Sequence, residues 1–89
     1  MKFEELLDRV YQVCGAIVGN NFRNKSNKRV YLFPRMIVAY HLKTQGWTVT
    51  NIGRMLNRDH STILYYLKKY DDEYRFNEDF RNLADEILA

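Results

Sequence analysis

The stretch Ile52-Gly53-Arg54-Met55-Leu56-Asn57-Arg58-Asp59-His60-Ser61-Thr62-Ile63-Leu64-Tyr65-Tyr66-Leu67-Lys68-Lys69 constrains the fold more than any other. It reads as helix, tight turn, helix, with the turn confined to Asn57 to Asp59. Asp59 is a helix N-cap, because its carboxylate can accept bonds from the backbone N–H groups of Ser61 and Thr62 and so start a helix at His60. On a helical projection Ile63, Leu64, Leu67 and Tyr70 share one side, while Ser61, Thr62, Tyr65, Lys68 and Lys69 lie opposite. One face packs and the other reaches outward. Short hydrogen-bonding side chains and free N–H groups at the helix start, with aromatic and basic residues further along, suit a DNA major groove. The pattern is that of a helix-turn-helix.

The remaining segments also read as helices. Phe3, Leu6, Leu7, Val10, Cys14 and Ile17 recur at helical spacing with Glu4, Glu5, Asp8 and Arg9 on the wet side, which predicts an amphipathic helix over 3–14. Gly15 and Gly19 predict a break after it. Residues 19–29 are polar, turn-prone and basic, and read as a loop that either holds phosphates, enters a minor groove or simply connects. Pro34 is suited to the first turn of a helix, and Met36 to Leu42 form a nearly continuous apolar run ended by Gly46, so this helix is expected to be central. Arg35 in that first turn is expected at the surface, on a phosphate, rather than in a core ion pair. Thr48 caps a helix over 49–56, with Val49, Ile52 and Leu56 buried, Gly53 permitting a close backbone approach and Trp47 covering the edge of the core. The reading helix is expected to continue to about Arg75, and Asn77 to cap a last helix carrying Phe80, Leu83, Ala84, Ile87 and Leu88 on one face.

With 89 residues the chain suits one domain, and 46% hydrophobic residues argue against disorder. A single cysteine cannot form an internal disulfide, and no apolar run is long enough to span a bilayer, so a reducing cytoplasm is the expected place. Cys14 lies on an apolar stripe and reads as packing; Cys14, His41 and His60 lack metal-ligand spacing. Charge is the sharper signal. Residues 20–69 hold ten Lys or Arg against Asp59 alone, a charge of +9, while the ends hold four against ten acids, a charge of −6. Such segregation is the footprint of a face that meets a polyanion.

Arg58-Asp59-His60-Ser61-Thr62-Ile63-Leu64, preceded by Ile52-Gly53-Arg54, resembles the signature of the C-terminal DNA-binding domain of the bacterial DnaA replication initiators. Pro34-Arg35 before an apolar helix resembles that family's proline-arginine start of its central helix, and Phe80-Arg81-Asn82-Leu83 its closing helix. The resemblance implies base contacts from Asp59, His60, Ser61 and Thr62, a phosphate contact from Arg35 and a basic loop before the central helix. Three departures stand out: Leu56-Asn57-Arg58 is one residue shorter than the usual glycine-glycine turn, Met36 replaces a common glutamine, and Asn27 falls near a minor-groove arginine. Nothing resembles a phosphate-binding Gly-rich Lys-Ser/Thr loop, so neither nucleotide nor catalysis is expected.

The sequence therefore points to an all-α domain of about five to six helices, residues 1–89, with the motif at 48–70 and the basic loop at 20–29. The expected partner is double-stranded DNA, read at the nucleoid in replication initiation or transcriptional regulation, with no cofactor, metal or membrane. Asp59, His60, Ser61, Thr62 and Tyr65 are the candidate base contacts; Arg35, Arg58, Lys68 and Lys69 the phosphate contacts; Lys25, Asn27, Lys28 and Arg29 the loop contacts. A competing reading is a protein-interaction module using a surface of Tyr65, Tyr66, Tyr70 and Tyr74.

Overall fold

In a helix, four consecutive residues can be buried only when other helices surround it, and Met36, Ile37, Val38 and Ala39 are all buried. They lie in α3, Arg29–Thr44, the hub of a computed structural model that describes residues 1–89. Around it stand α1 (Phe3–Cys14), α2 (Ala16–Asn20), α4 (Val49–Leu56), α5 (His60–Phe76) and α6 (Glu78–Leu88), with no strand. The chain packs to a Cα radius of gyration of 11.7 Å, close to the ~12 Å expected of a folded domain this long.

The α3 helix starts five residues earlier than the proline suggests. Lys28 adopts an extended conformation, and its carbonyl accepts from the N–H groups of Tyr31 at 3.0 Å and Leu32 at 2.8 Å, so a full turn forms ahead of Pro34. Pro34 then lacks the N–H that would reach the Val30 carbonyl. The turn is held instead by packing, with the Phe33 ring edge-on to Phe80 at 5.0 Å.

Three helices meet through aromatic rings. Tyr40 of α3 stacks on Tyr70 of α5 at 3.8 Å between centroids, and Tyr70 meets Phe80 of α6 edge-on at 5.4 Å. Such pairs add ~0.5–1.5 kcal/mol each beyond the area they bury. Phe80, Ala84 and Ile87 close the core from α6, whose first N–H groups are capped by Asn77 through a 3.1 Å bond from Phe80 N–H. On α1, Phe3, Leu6 and Val10 are buried as their spacing implies. Ile17 is not: Gly15, at φ 95°, breaks the phase of the stripe, and Ile17 on α2 faces solvent.

The buried stripe of α5 is Ile63, Tyr66 and Tyr70 with Leu67 half-buried, whereas Leu64 is 49% exposed. Leu64, which a helical projection places beside Ile63, thus falls outside the buried stripe, and Tyr66 takes its place. Of the four tyrosines offered as an interaction surface, Tyr66 and Tyr70 are buried and Tyr74 is half-buried. Only Tyr65 faces out, so the tyrosine surface does not exist as a patch. No helix is long and apolar enough to cross a membrane.

Candidate nucleic-acid interface

The α4–α5 turn is built from three local devices. Thr48 Oγ1 accepts the Asn51 N–H at 3.2 Å and starts α4. Asn57 ends it in the left-handed region at φ 56°, ψ 47°, a conformation that asparagine tolerates better than most residues. The Arg58 N–H then returns to the Gly53 carbonyl at 2.9 Å. The chain folds back so closely that a Cβ on Gly53 would lie 2.6 Å from the Arg58 carbonyl oxygen.

Asp59 caps α5, its Oδ1 accepting the Thr62 N–H at 2.9 Å, and the bonds from Thr62 hold its carboxyl below the usual carboxylate range. The Ser61 N–H, the second donor expected from sequence, makes no such bond to it. His60 and Ser61 are exposed, Thr62 is half-buried, and Tyr65, Lys68 and Lys69 are exposed along the following two turns. The Lys69 ammonium lies 5.9 Å from the Tyr65 ring centroid, within cation–π reach.

Arg35 overturns the expectation of a surface residue. It is 0% exposed, and its guanidinium donates four hydrogen bonds into the Asn21–Lys28 loop. Nε–H donates to the Phe22 carbonyl at 2.7 Å, Nη1 to the Ser26 carbonyl at 2.5 Å, and Nη2 to both the carbonyl and Oδ1 of Asn24 at 2.8 Å. A planar fork with five donors suits a cluster of carbonyls that an ammonium could not satisfy. Burial lowers the Arg35 pKa from its ordinary value, the nearby Arg58 charge lowers it further, and Tyr66 opposes the shift. The Tyr66 hydroxyl is buried without a hydrogen-bond partner.

The loop is also tied to the turn. Arg58 Nη2 donates to the Asn24 carbonyl and Nη1 to the Asn57 carbonyl at 2.9 Å. Arg23 donates to the Arg54 carbonyl at 3.3 Å, and Asn57 Nδ2 donates to the Arg23 carbonyl at 3.4 Å. These bonds bring Lys25, Asn27, Asn57, Arg58, Asp59 and Thr62 around one groove. A second, wholly polar concavity beside it is lined by Thr50, Gly53, Arg54, Asn57, Arg58, Asp59 and His60. Lys28 and Arg29 are exposed but line neither, and Arg29 lies over the Phe33 ring at 5.8 Å. Sequence reasoning assigned no role to Asn24, Thr50 or Arg54. For Arg54 the one signal was its charge, as one of the ten basic residues of the 20–69 segment.

A family model described as the bacterial dnaA protein helix-turn-helix matches residues 5–69. The chain belongs to the DnaA helix-turn-helix family. Within it, the chain is 32% identical over 65 residues to the chromosomal replication initiator protein DnaA of Lachnoclostridium phytofermentans, covering 71% of this chain and 14% of that protein. No solved structure matches. The residues matched to the DnaA family take in both concavities and the loop, and stop before Tyr70 and α6.

Proposed function

We propose that the chain binds duplex DNA sequence-specifically, with the N-terminal turn of α5 in the major groove and the Asn21–Lys28 loop on the flanking backbone or minor groove. The observation that carries this reading is the groove shared by the loop and the start of α5, where Lys25 and Asn27 face Arg58, Asp59 and Thr62 in a segment of charge +9. In this reading Asp59, His60, Ser61, Thr62 and Tyr65 meet base edges, Arg58, Lys68 and Lys69 hold phosphates, and Lys25, Asn27, Lys28 and Arg29 serve the flank. Arg35, fully buried, has no part in the contact surface. Membership of the DnaA family and the name of the L. phytofermentans relative support a DNA-binding role in replication initiation. The chain acts here as a binding module rather than an enzyme.

The test is selection from random duplex DNA by the full chain, followed by footprinting of the enriched sequence. One recurrent motif, with protection extending past one end of it, is the expected result. Failure of any sequence to enrich overturns the reading.

A further inference from the structure

We propose that Arg35 is a positioning residue, and that Asn24 is the knot through which it sets the basic loop against the reading helix before any DNA arrives. Two guanidinium groups converge on this one asparagine. Its carbonyl accepts from both Arg35 Nη2 and Arg58 Nη2, and its side-chain Oδ1 accepts from Arg35 Nη2 and, at 2.9 Å, from the Ser26 N–H. Arg35 is anchored in the central helix and Arg58 in the α4–α5 turn, so the shared carbonyl joins hub, loop and motif.

The chemistry of the partners separates positioning from ligand binding. All four Arg35 bonds go to neutral oxygens of the loop, three of them main-chain carbonyls of Phe22, Asn24 and Ser26. A polar main chain with no regular secondary structure needs such partners when it is taken from water. The fixed fork of one buried arginine supplies them at three alternate residues, which imposes a single loop shape. Were Arg35 a phosphate ligand, charge would be its essential property. As a positioner its essential property is the geometry of the fork.

Arg35→Lys keeps the charge and removes the fork; Asn24→Ala removes the Oδ1 acceptor while leaving the shared carbonyl. Hydrogen exchange on the DNA-free protein is the first readout. The amides of Asn24, Ser26 and Lys28, which donate to Asn21, Asn24 and Ser26 within the loop, should exchange at least about tenfold faster in both variants, since the loop loses hydrogen bonds to a charged group that hold its shape. Amides of α5 from Ile63 onward should keep their protection, and Asn24→Ala serves if Arg35→Lys does not fold. Unchanged exchange in the loop of both variants overturns the proposal, whatever the chain binds.

The second readout rests on the proposed DNA function: preference between A·T and G·C flanks around the selected motif should fall toward unity in both variants, while preference for the motif itself persists. Full rescue of flank preference and affinity by Arg35→Lys overturns positioning in favour of a charge contact. If the parent chain selects no motif, the functional reading fails, and loop exchange alone decides the role of Arg35.

Discussion

Gly53→Ala sets two opposed terms against each other at the heart of the motif. Gly53 is the fifth residue of α4, and alanine would gain ~1 kcal/mol of helix propensity there. Its Cβ would lie 2.6 Å from the Arg58 carbonyl oxygen, whereas such contacts are essentially never shorter than 3.0 Å, so the turn must recede by at least 0.4 Å. That oxygen is main chain and cannot swing aside. Overpacking of this kind costs ~1–3 kcal/mol, and stretching the Arg58 N–H to Gly53 carbonyl bond forfeits ~1 kcal/mol more. The net loss is about 1–3 kcal/mol, or roughly 5–15 °C in Tm for a domain of this size. Thermal unfolding followed by circular dichroism measures it directly. A variant as stable as the parent, or more stable, would show that the turn yields freely and that the close approach does not hold the motif together. Gly19→Ala is a second overpacked site, since its Cβ would meet Cδ1, Cγ and Cε1 of the Tyr11 ring at 2.5, 2.6 and 2.7 Å, and rotating the ring about its own axis does not move Cγ. It too should destabilise the fold.

Lys69→Ala should weaken all duplexes alike and reduce the slope of log affinity against log salt by roughly one unit, as for one neutralised phosphate; an unchanged slope would remove Lys69 from the interface. Arg29→Ala should lower affinity more than Asn27→Ala, and Asn27→Arg should strengthen binding to sites with A·T flanks, where a narrow minor groove attracts arginine; equal binding of Arg29→Ala and parent on both flanks would leave Arg29 with no part in binding. Asp59 has a folded pKa below its ordinary value of 3.8, so its contribution is complete above that pH and is lost as pH falls through the folded value. Acid unfolding of Asp59→Asn should accordingly lack that part of the pH dependence, and identical acid limbs for the two proteins would refute the cap.

Where a local rule decided the outcome, the fold was legible in the sequence. The caps at Thr48, Asp59 and Asn77 each form the bond their residue type implies, because an N-cap depends only on a few neighbouring dihedrals. The α5 helix runs to Phe76, which puts Asp71 and Asp72 before its last turn, where the helix dipole penalises them less, and leaves only Glu73 at the start of that turn. Tertiary packing decided the rest. Ile63 to Leu67 are all apolar or aromatic, so the helical period is invisible there, and only contact with α3 and α4 selects Tyr66 over Leu64 for burial. Arg35 was misplaced for a related reason: its partners lie 9 to 13 residues earlier in an aperiodic loop. No sequence pattern announces that three carbonyls will converge on one side chain. Asn24 was invisible on the same ground, as an asparagine in a polar loop differs from its neighbours only once the loop has a shape.

Whether the N-terminal turn of α5 reads base edges is tested by comparing parent, His60→Ala and Thr62→Ala on the selected duplex and on a scrambled duplex at one salt concentration. Both side chains sit where few core contacts depend on them, so the fold should persist. Each substitution should cost about 1–3 kcal/mol on the selected duplex and much less on the scrambled one. Equal losses on the two duplexes would contradict the account, since they would make these residues backbone contacts rather than readers of sequence.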